Sequence, residues 1–169
     1  ISIQSRYIKN KTLMKFFNES KDRIQSVALI HELLYQGDDI ARVNTSEYIK
    51  KLTAYLLSSL GVPKDQHTLN IENTNVNMSI DIAIPCGLII NELFSNSVKH
   101  AFPDGRKGNI FIKLSNEQND ERGNYELIIK DDGIGLPEGF VFDENNTSLG
   151  MKIVHNLIKQ LNGEVQFKN

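Results

Sequence analysis

The sequence predicts an α+β fold, a two-layer α/β sandwich with a mixed sheet, preceded by the remnant of a helical hairpin. Three observations carry that prediction. Strand-like and helix-like runs intermingle along the chain, which places helices behind one sheet. Two strand-like runs, Asn109 to Ser115 and Tyr125 to Lys130, are separated only by a charged loop ending in Gly123 and Asn124, so they form an antiparallel pair and not a doubly wound unit. A long amphipathic run near the start carries an apolar stripe too narrow to be buried by itself.

In chain order, residues 1 to about 8 read as the end of a helix, followed by a polar break at Lys9, Asn10 and Lys11. From Thr12 to Gln36 apolar residues recur at Leu13, Phe16/Phe17, Ile24, Val27/Ala28 and Leu34/Tyr35, with Gly37 as the stop. The turn at Gln36 to Asp39 divides the chain into a hairpin module, residues 1–40, and a second module, residues 41–169. Thr45 or Ser46 is expected to cap a helix that ends at Gly61, Val62 and Pro63. His67 to Glu72 and Val76 to Ile84 alternate like strands.

The stretch from Pro85 to Pro103 reads as the central helix, with Pro85 at its first position and Pro103 just past its end. At 100° per residue, Ile90, Leu93, Phe94, Val98 and Ala101 fall on one flank, and Glu92, Asn96 and Lys99 on the other. Asn and Ser are mediocre helix formers, yet Asn91, Ser95, Asn96 and Ser97 sit in mid-helix. The row is either a polar outer face or a set able to hold a hydrated Mg²⁺ with its phosphates. Beyond the antiparallel pair, a helix runs from Leu149 to about Leu161, and Gly163 to Lys168 opens a further strand.

A formal net charge of −2 with scattered Lys and Arg gives no nucleic-acid footprint. Cys86 is the single cysteine, which excludes an internal disulfide or a cysteine-based zinc site and suits a reducing, cytoplasmic setting. No apolar run reaches membrane-spanning length, and the first residues are no signal peptide. The chain lacks an initiator Met and reads as a piece of a longer protein, whose membrane attachment stays open.

Two loops carry candidate chemistry. Asp131-Asp132-Gly133-Ile134-Gly135-Leu136-Pro137 leaves a strand and turns sharply; it is either a plain turn or a place where two glycines bring backbone close to a flat ligand. A buried Asp131 could accept a hydrogen bond from the exocyclic amine of adenine, where guanine offers a carbonyl oxygen instead. Ser148 is a natural helix cap, and Leu149 and Gly150 bare backbone N–H groups at a positive dipole end suited to phosphate. Residues 138–147, with Phe140 and Phe142, form a candidate lid.

N-E-L-F-S-N-S-V-K-H, D-D-G-I-G and S-L-G-M, in that order, resemble the ATP-binding domain shared by sensor histidine kinases, gyrase, MutL and a heat-shock chaperone family. S-R-Y-I-K, R-I-Q-S-V-A-L-I-H-E-L-L-Y-Q and E-Y-I-K-K-L resemble sensor histidine kinases whose acceptor motif reads H-R-x-x-N. The resemblance implies a histidine-kinase/gyrase-type ATPase fold lacking its closing strand, and a split site for ATP and Mg²⁺. It implies Asn96 on Mg²⁺, Glu92 as catalytic acid or base, and Lys99 and His100 toward the phosphates. It further implies Asp131 on adenine, Gly133 and Gly135 along the adenine wall, and Ser148, Leu149 and Gly150 at the phosphate-side helix start. The implied partners are a second copy of the chain, through the hairpin, and a response-regulator receiver domain.

The H-R-x-x-N motif itself is absent, which implies an acceptor histidine upstream of Ile1 and a piece unable to phosphorylate itself. No separate phenylalanine motif precedes the last helix; Phe140 or Phe142 stands in its place. His31 falls in the seam of Ile24, Val27/Ala28 and Leu34/Tyr35, so it is expected to point into the hairpin or dimer contact and not to serve as acceptor. Two other readings share the nucleotide fold: an ATPase or serine kinase like anti-sigma-factor kinases, and a non-catalytic module whose dimerisation ATP gates.

Overall fold

The computed structural model describes residues 11–35, 43–63, 65–73, 76–116, 124–142 and 148–168. The first helix, α1, spans Lys11–Tyr35. A short strand β1, Val43–Asn44, leads into α2, Thr45–Ser59. Strand β2, His67–Asn73, and the two-residue β3, Asn77–Met78, precede α3, Ile80–Asn96. The α3 rod continues as a π-helical turn over Ser97–Ala101. Strands β4, Gly108–Asn116, and β5, Tyr125–Asp131, follow, and α4 spans Leu149–Gln160.

The main sheet is mixed and three-stranded, in the order β2-β4-β5. β4 lies parallel to β2 and antiparallel to β5. Parallel neighbours need a crossover, and α3 lies within it. Along β4, Ile110, Ile112 and Leu114 are buried while the residues between them are more open. The sheet therefore gives one face to the helices, as a two-layer sandwich requires. That layer is built on Tyr48, Ile49, Leu52 and Leu56 of α2 and on Ala83, Cys86, Ile90 and Phe94 of α3. Phe94 is fully buried, and truncating such a residue to Ala costs about 3–5 kcal/mol. The β1–β3 ladder, pairing Val43 with Met78, ties the start of α2 to the start of α3.

Several local expectations are corrected. Val76 to Ile84 is not one strand: only Asn77–Met78 is extended, and the helix begins at Ile80. Ile80, Ile82 and Ile84 fit a period of two, but Ala83, Cys86, Gly87 and Ile90 form a helical face packed into the core, and that packing decides. Pro85 is therefore inside α3, not at its first position. The cap of α2 is Asn44, whose Oδ1 accepts from the Ser46 and Glu47 N–H groups, while Thr45 turns inward and donates to the Val76 carbonyl. Gly163 to Lys168 is not a strand. Phe167 instead packs against Phe140 and Phe142, with ring centroids 5.4 and 4.8 Å away. The expected helix end before Lys9, the turn at Gln36 to Asp39 and the lid residues 143–147 lie outside the described residues.

On α1, Ile30 is buried and Arg23, two turns earlier on the same flank, reaches inward. Ile24, Val27, Ala28 and His31 lie on the exposed side. His31 is exposed within the single chain, and the preceding hairpin segment lies outside the described residues. Periodicity gave the stripe through Ile24 and Val27 but not Ile30, the residue that packs into the core.

Candidate active site

The polar positions of the α3 rod meet two neighbours, the end of β5 and the start of α4. Toward β5, the Ser97 hydroxyl donates to Asp131 Oδ2 at 2.7 Å. Asp131 Oδ1 accepts from the Gly133 N–H at 3.1 Å, fixing the turn that follows the strand. The Ile134 N–H donates to the Ala101 carbonyl at 3.0 Å. A Cβ on Gly133 would run into the Cβ and carbonyl of Ala101, so the glycine is what allows this contact. Asp131 is exposed, not buried as expected, and its carboxylate is held by these two donors at the surface.

Asp132 braces the same turn from behind. Its carboxylate accepts from the Asn109 N–H at 2.7 Å and from Asn109 Nδ2 at 2.6 Å, which hold its pKa below the usual carboxylate value. Arg106 donates to the Asp132 carbonyl at 2.9 Å. His67, stacked on Phe102 at 4.6 Å, lies behind this turn, and burial pushes its pKa down despite the attraction of Asp132.

Toward α4, Asn96 Nδ2 meets Met151 Sδ at 3.5 Å, leaving the amide oxygen as the end available to a cation. Ser148 caps α4, accepting from the Met151 N–H at 3.4 Å. Leu149 is exposed and Gly150 buried. Glu92 is also buried, and it pairs with Arg23 of α1. Arg23 Nε donates to Oε1 at 2.6 Å and Nη2 to Oε2 at 3.1 Å, while Asn91 Nδ2 donates to Oε1 at 3.2 Å. The pair is partly buried, the Glu92 side chain more so than that of Arg23, so removing Arg23 leaves a carboxylate largely shielded from water.

The structure thus gathers Glu92, Asn96, Gly150 and Met151 at one end and Ser97, Asp131 and Gly133 at the other. Asn96 is the last α-helical residue of the rod, and Lys99 lies on the π-helical turn that follows. The π-helical bonding that begins at Ser97 widens the turn, so ideal α-helical spacing no longer applies. Lys99 and His100 are exposed, as is Gly135. Arg23 was not singled out from the sequence. Its signal is a cation on the Ile30 flank of α1, seven positions before a core residue.

The group of histidine kinase-, DNA gyrase B- and HSP90-like ATPases has a family model that matches residues 81–169. The chain belongs to that family. A second model, described as histidine kinase, matches residues 1–60, so the resemblance to sensor histidine kinases is borne out over both parts of the chain. Sensor histidine kinase PdtaS of Mycobacterium tuberculosis is 27% identical over 171 residues, covering 100% of this chain and 33% of its own length. Blue-light-activated histidine kinase 2 of Erythrobacter litoralis is 28% identical over 144 residues, covering 79% of this chain and 39% of its own. The chain therefore spans about a third of the length of these relatives. Among solved structures, the histidine kinase domain of the Erythrobacter litoralis EL346 blue-light-activated kinase superposes with a TM-score of 0.71 at 22% identity, over 85% of this chain and 65% of that one. Acinetobacter baumannii histidine kinase AdeS gives 0.59 at 16% identity, over 99% and 82%. These structures share the expected α+β ATPase fold.

Proposed function

We propose that this chain is the ATP-binding catalytic portion of a two-component sensor histidine kinase, with residues 1–40 the remnant of its dimerisation and acceptor module. The observation that carries the reading is the Ser97–Asp131 hydrogen bond, which couples the loop carrying D-D-G-I-G to the helix carrying N-E-L-F-S-N, one residue beyond Asn96. In this reading Asp131 accepts from the adenine amine, while Gly133 and Gly135 shape the adenine wall. Ser148, Leu149 and Gly150 present the start of α4 to the phosphates, with Lys99 and His100 beside them. Asn96 would hold Mg²⁺ through its amide oxygen, and Mg²⁺ would neutralise charge on the phosphate oxygens. During transfer, the bond from the γ-phosphorus to its bridging oxygen breaks and a bond to the acceptor nitrogen forms. Glu92 orients the imidazole or accepts its N–H proton.

The exposed α1 stripe of Leu13, Ile24 and Val27, 44–56% accessible, supports docking of hairpin helices in a homodimer. The partner that takes the phosphoryl group onward would be a response-regulator receiver domain. Among the described residues, no helix is long and apolar enough to cross a membrane.

Calorimetric titration tests the nucleotide reading. Mg-ATP should bind the chain at least about tenfold more tightly than Mg-GTP, the value of one well-placed discriminating hydrogen bond. Asp131→Ala should erase that preference. Equal binding of ATP and GTP by the unaltered chain would contradict the reading.

A further inference from the structure

We propose that Arg23 is a γ-phosphate ligand held in reserve: it is paired with Glu92 when no γ-phosphate is present and transfers to that phosphate when ATP binds. The inference rests on the nucleotide reading above and adds to it a residue from outside the ATP-binding module.

Three observations point the same way. First, the guanidinium meets Glu92 as a fork, with Nε and Nη2 on the two carboxylate oxygens. A phosphate group presents the same forked pair of oxygens, with more charge. Second, the guanidinium sits at the first turn of α4: Nη2 lies 3.2 Å from the position a Cβ would take on Gly150. A cation at a helix N-terminus is on the unfavourable end of the dipole, and α4 has no acidic residue of its own in that turn. Glu92 supplies the missing anion from α3. The helix start and the guanidinium thus enclose a place for negative charge that a carboxylate now fills. Third, that place adjoins the residues assigned to the phosphate end. Gly150 touches the pair, its neighbour Met151 touches Asn96, and Asn96 is one turn beyond Glu92.

The exchange has a chemical consequence. Oε1 of Glu92 accepts from both Arg23 and Asn91, and Oε2 accepts from Arg23. In that state the carboxylate is engaged by donors and poorly placed to take a proton from an incoming imidazole. Transfer of Arg23 to the γ-phosphate releases it. ADP has no γ-phosphate and leaves the pair intact. The helix joined to the acceptor module would therefore register whether the bound nucleotide can still donate.

The test is calorimetric titration of the 169-residue chain with Mg-AMP-PNP and with Mg-ADP. Arg23→Met should weaken AMP-PNP binding by about tenfold, the scale of one charge-assisted contact, and change ADP binding by less than about twofold. Glu92→Gln, which removes the competing charge, should strengthen AMP-PNP binding severalfold and leave ADP binding unchanged. Because Arg23→Met strands a buried carboxylate, the double variant Arg23→Met/Glu92→Gln is read against Glu92→Gln alone. It should lose the AMP-PNP gain. If the double variant binds AMP-PNP and ADP as Glu92→Gln does, Arg23 does not contact the γ-phosphate. If the unaltered chain binds neither nucleotide, the nucleotide reading falls and this inference with it.

Discussion

The two ends of the candidate site are held by different physics. The Asp131 end is a knot of local geometry. Two donors on one carboxylate, a glycine against the Ala101 backbone and a second aspartate clamped on Asn109 leave the turn after β5 little choice. The Glu92 end is held by charge: a single bidentate pair spans 69 residues of sequence, and its glycine faces side-chain tips rather than backbone. Geometry of the first kind makes a fixed wall. A charge pair of the second kind can exchange partners when a stronger anion arrives.

The largest effect that would break this contrast lies at the glycines. Gly133→Ala forces a methyl group into the Ala101 carbonyl, so the rod or the turn must move; a loss of about 1–3 kcal/mol is expected in denaturant melts. Gly150→Ala meets Glu92 Oε2 and Arg23 Nη2, which can swing aside, so its stability loss should be the smaller of the two. Equal losses would remove the distinction. Next comes Ser97→Ala, which removes one donor from Asp131. It should cost about 0.5–1.5 kcal/mol of nucleotide binding, read by titration with ADP, whose adenine meets only the fixed wall.

A smaller effect follows pH. The donors from Asn109 depress the Asp132 pKa below 3.8, so the folded chain binds fewer protons there than the unfolded chain. Asp132 therefore stabilises the fold above its unfolded pKa, and that contribution fades as pH falls through the folded value. The melting-temperature gap between the unaltered chain and Asp132→Asn should be open at pH 6 and narrow below about pH 4. The smallest signal concerns Cys86, in the buried half of α3. Burial pushes its thiol up to about 11, so alkylation at pH 8 should be slow until denaturant is added.

Much of the fixed end was legible in the sequence. The turn after β5 and the hairpin of β4 and β5 follow from residues within a few positions of one another, as does the Ser148 cap at the other end. The α+β class followed from the order of runs. What stayed hidden depended on tertiary choice. Ile80, Ile82 and Ile84 satisfied a strand pattern until packing against α2 and the sheet selected a helix. The apolar stripe read along α1 named Ile24, Val27/Ala28 and Leu34/Tyr35 but not Ile30, which packs into the core, so Arg23 on the Ile30 flank passed unnoticed. Asp131, at the end of a strand, was read as a carboxylate that could be buried, whereas Ser97, 34 residues away, donates to it at the surface.

The central claim is that one nucleotide joins a fixed wall to an exchangeable charge pair. Hydrogen exchange of the chain with no nucleotide, with Mg-ADP and with Mg-AMP-PNP tests it most directly. ADP should slow exchange in the peptides covering 96–102 and 131–135 and leave the peptide around Arg23 unchanged; AMP-PNP should alter that peptide as well. Protection confined to other surfaces, or an identical response of the Arg23 peptide to both nucleotides, would contradict the account.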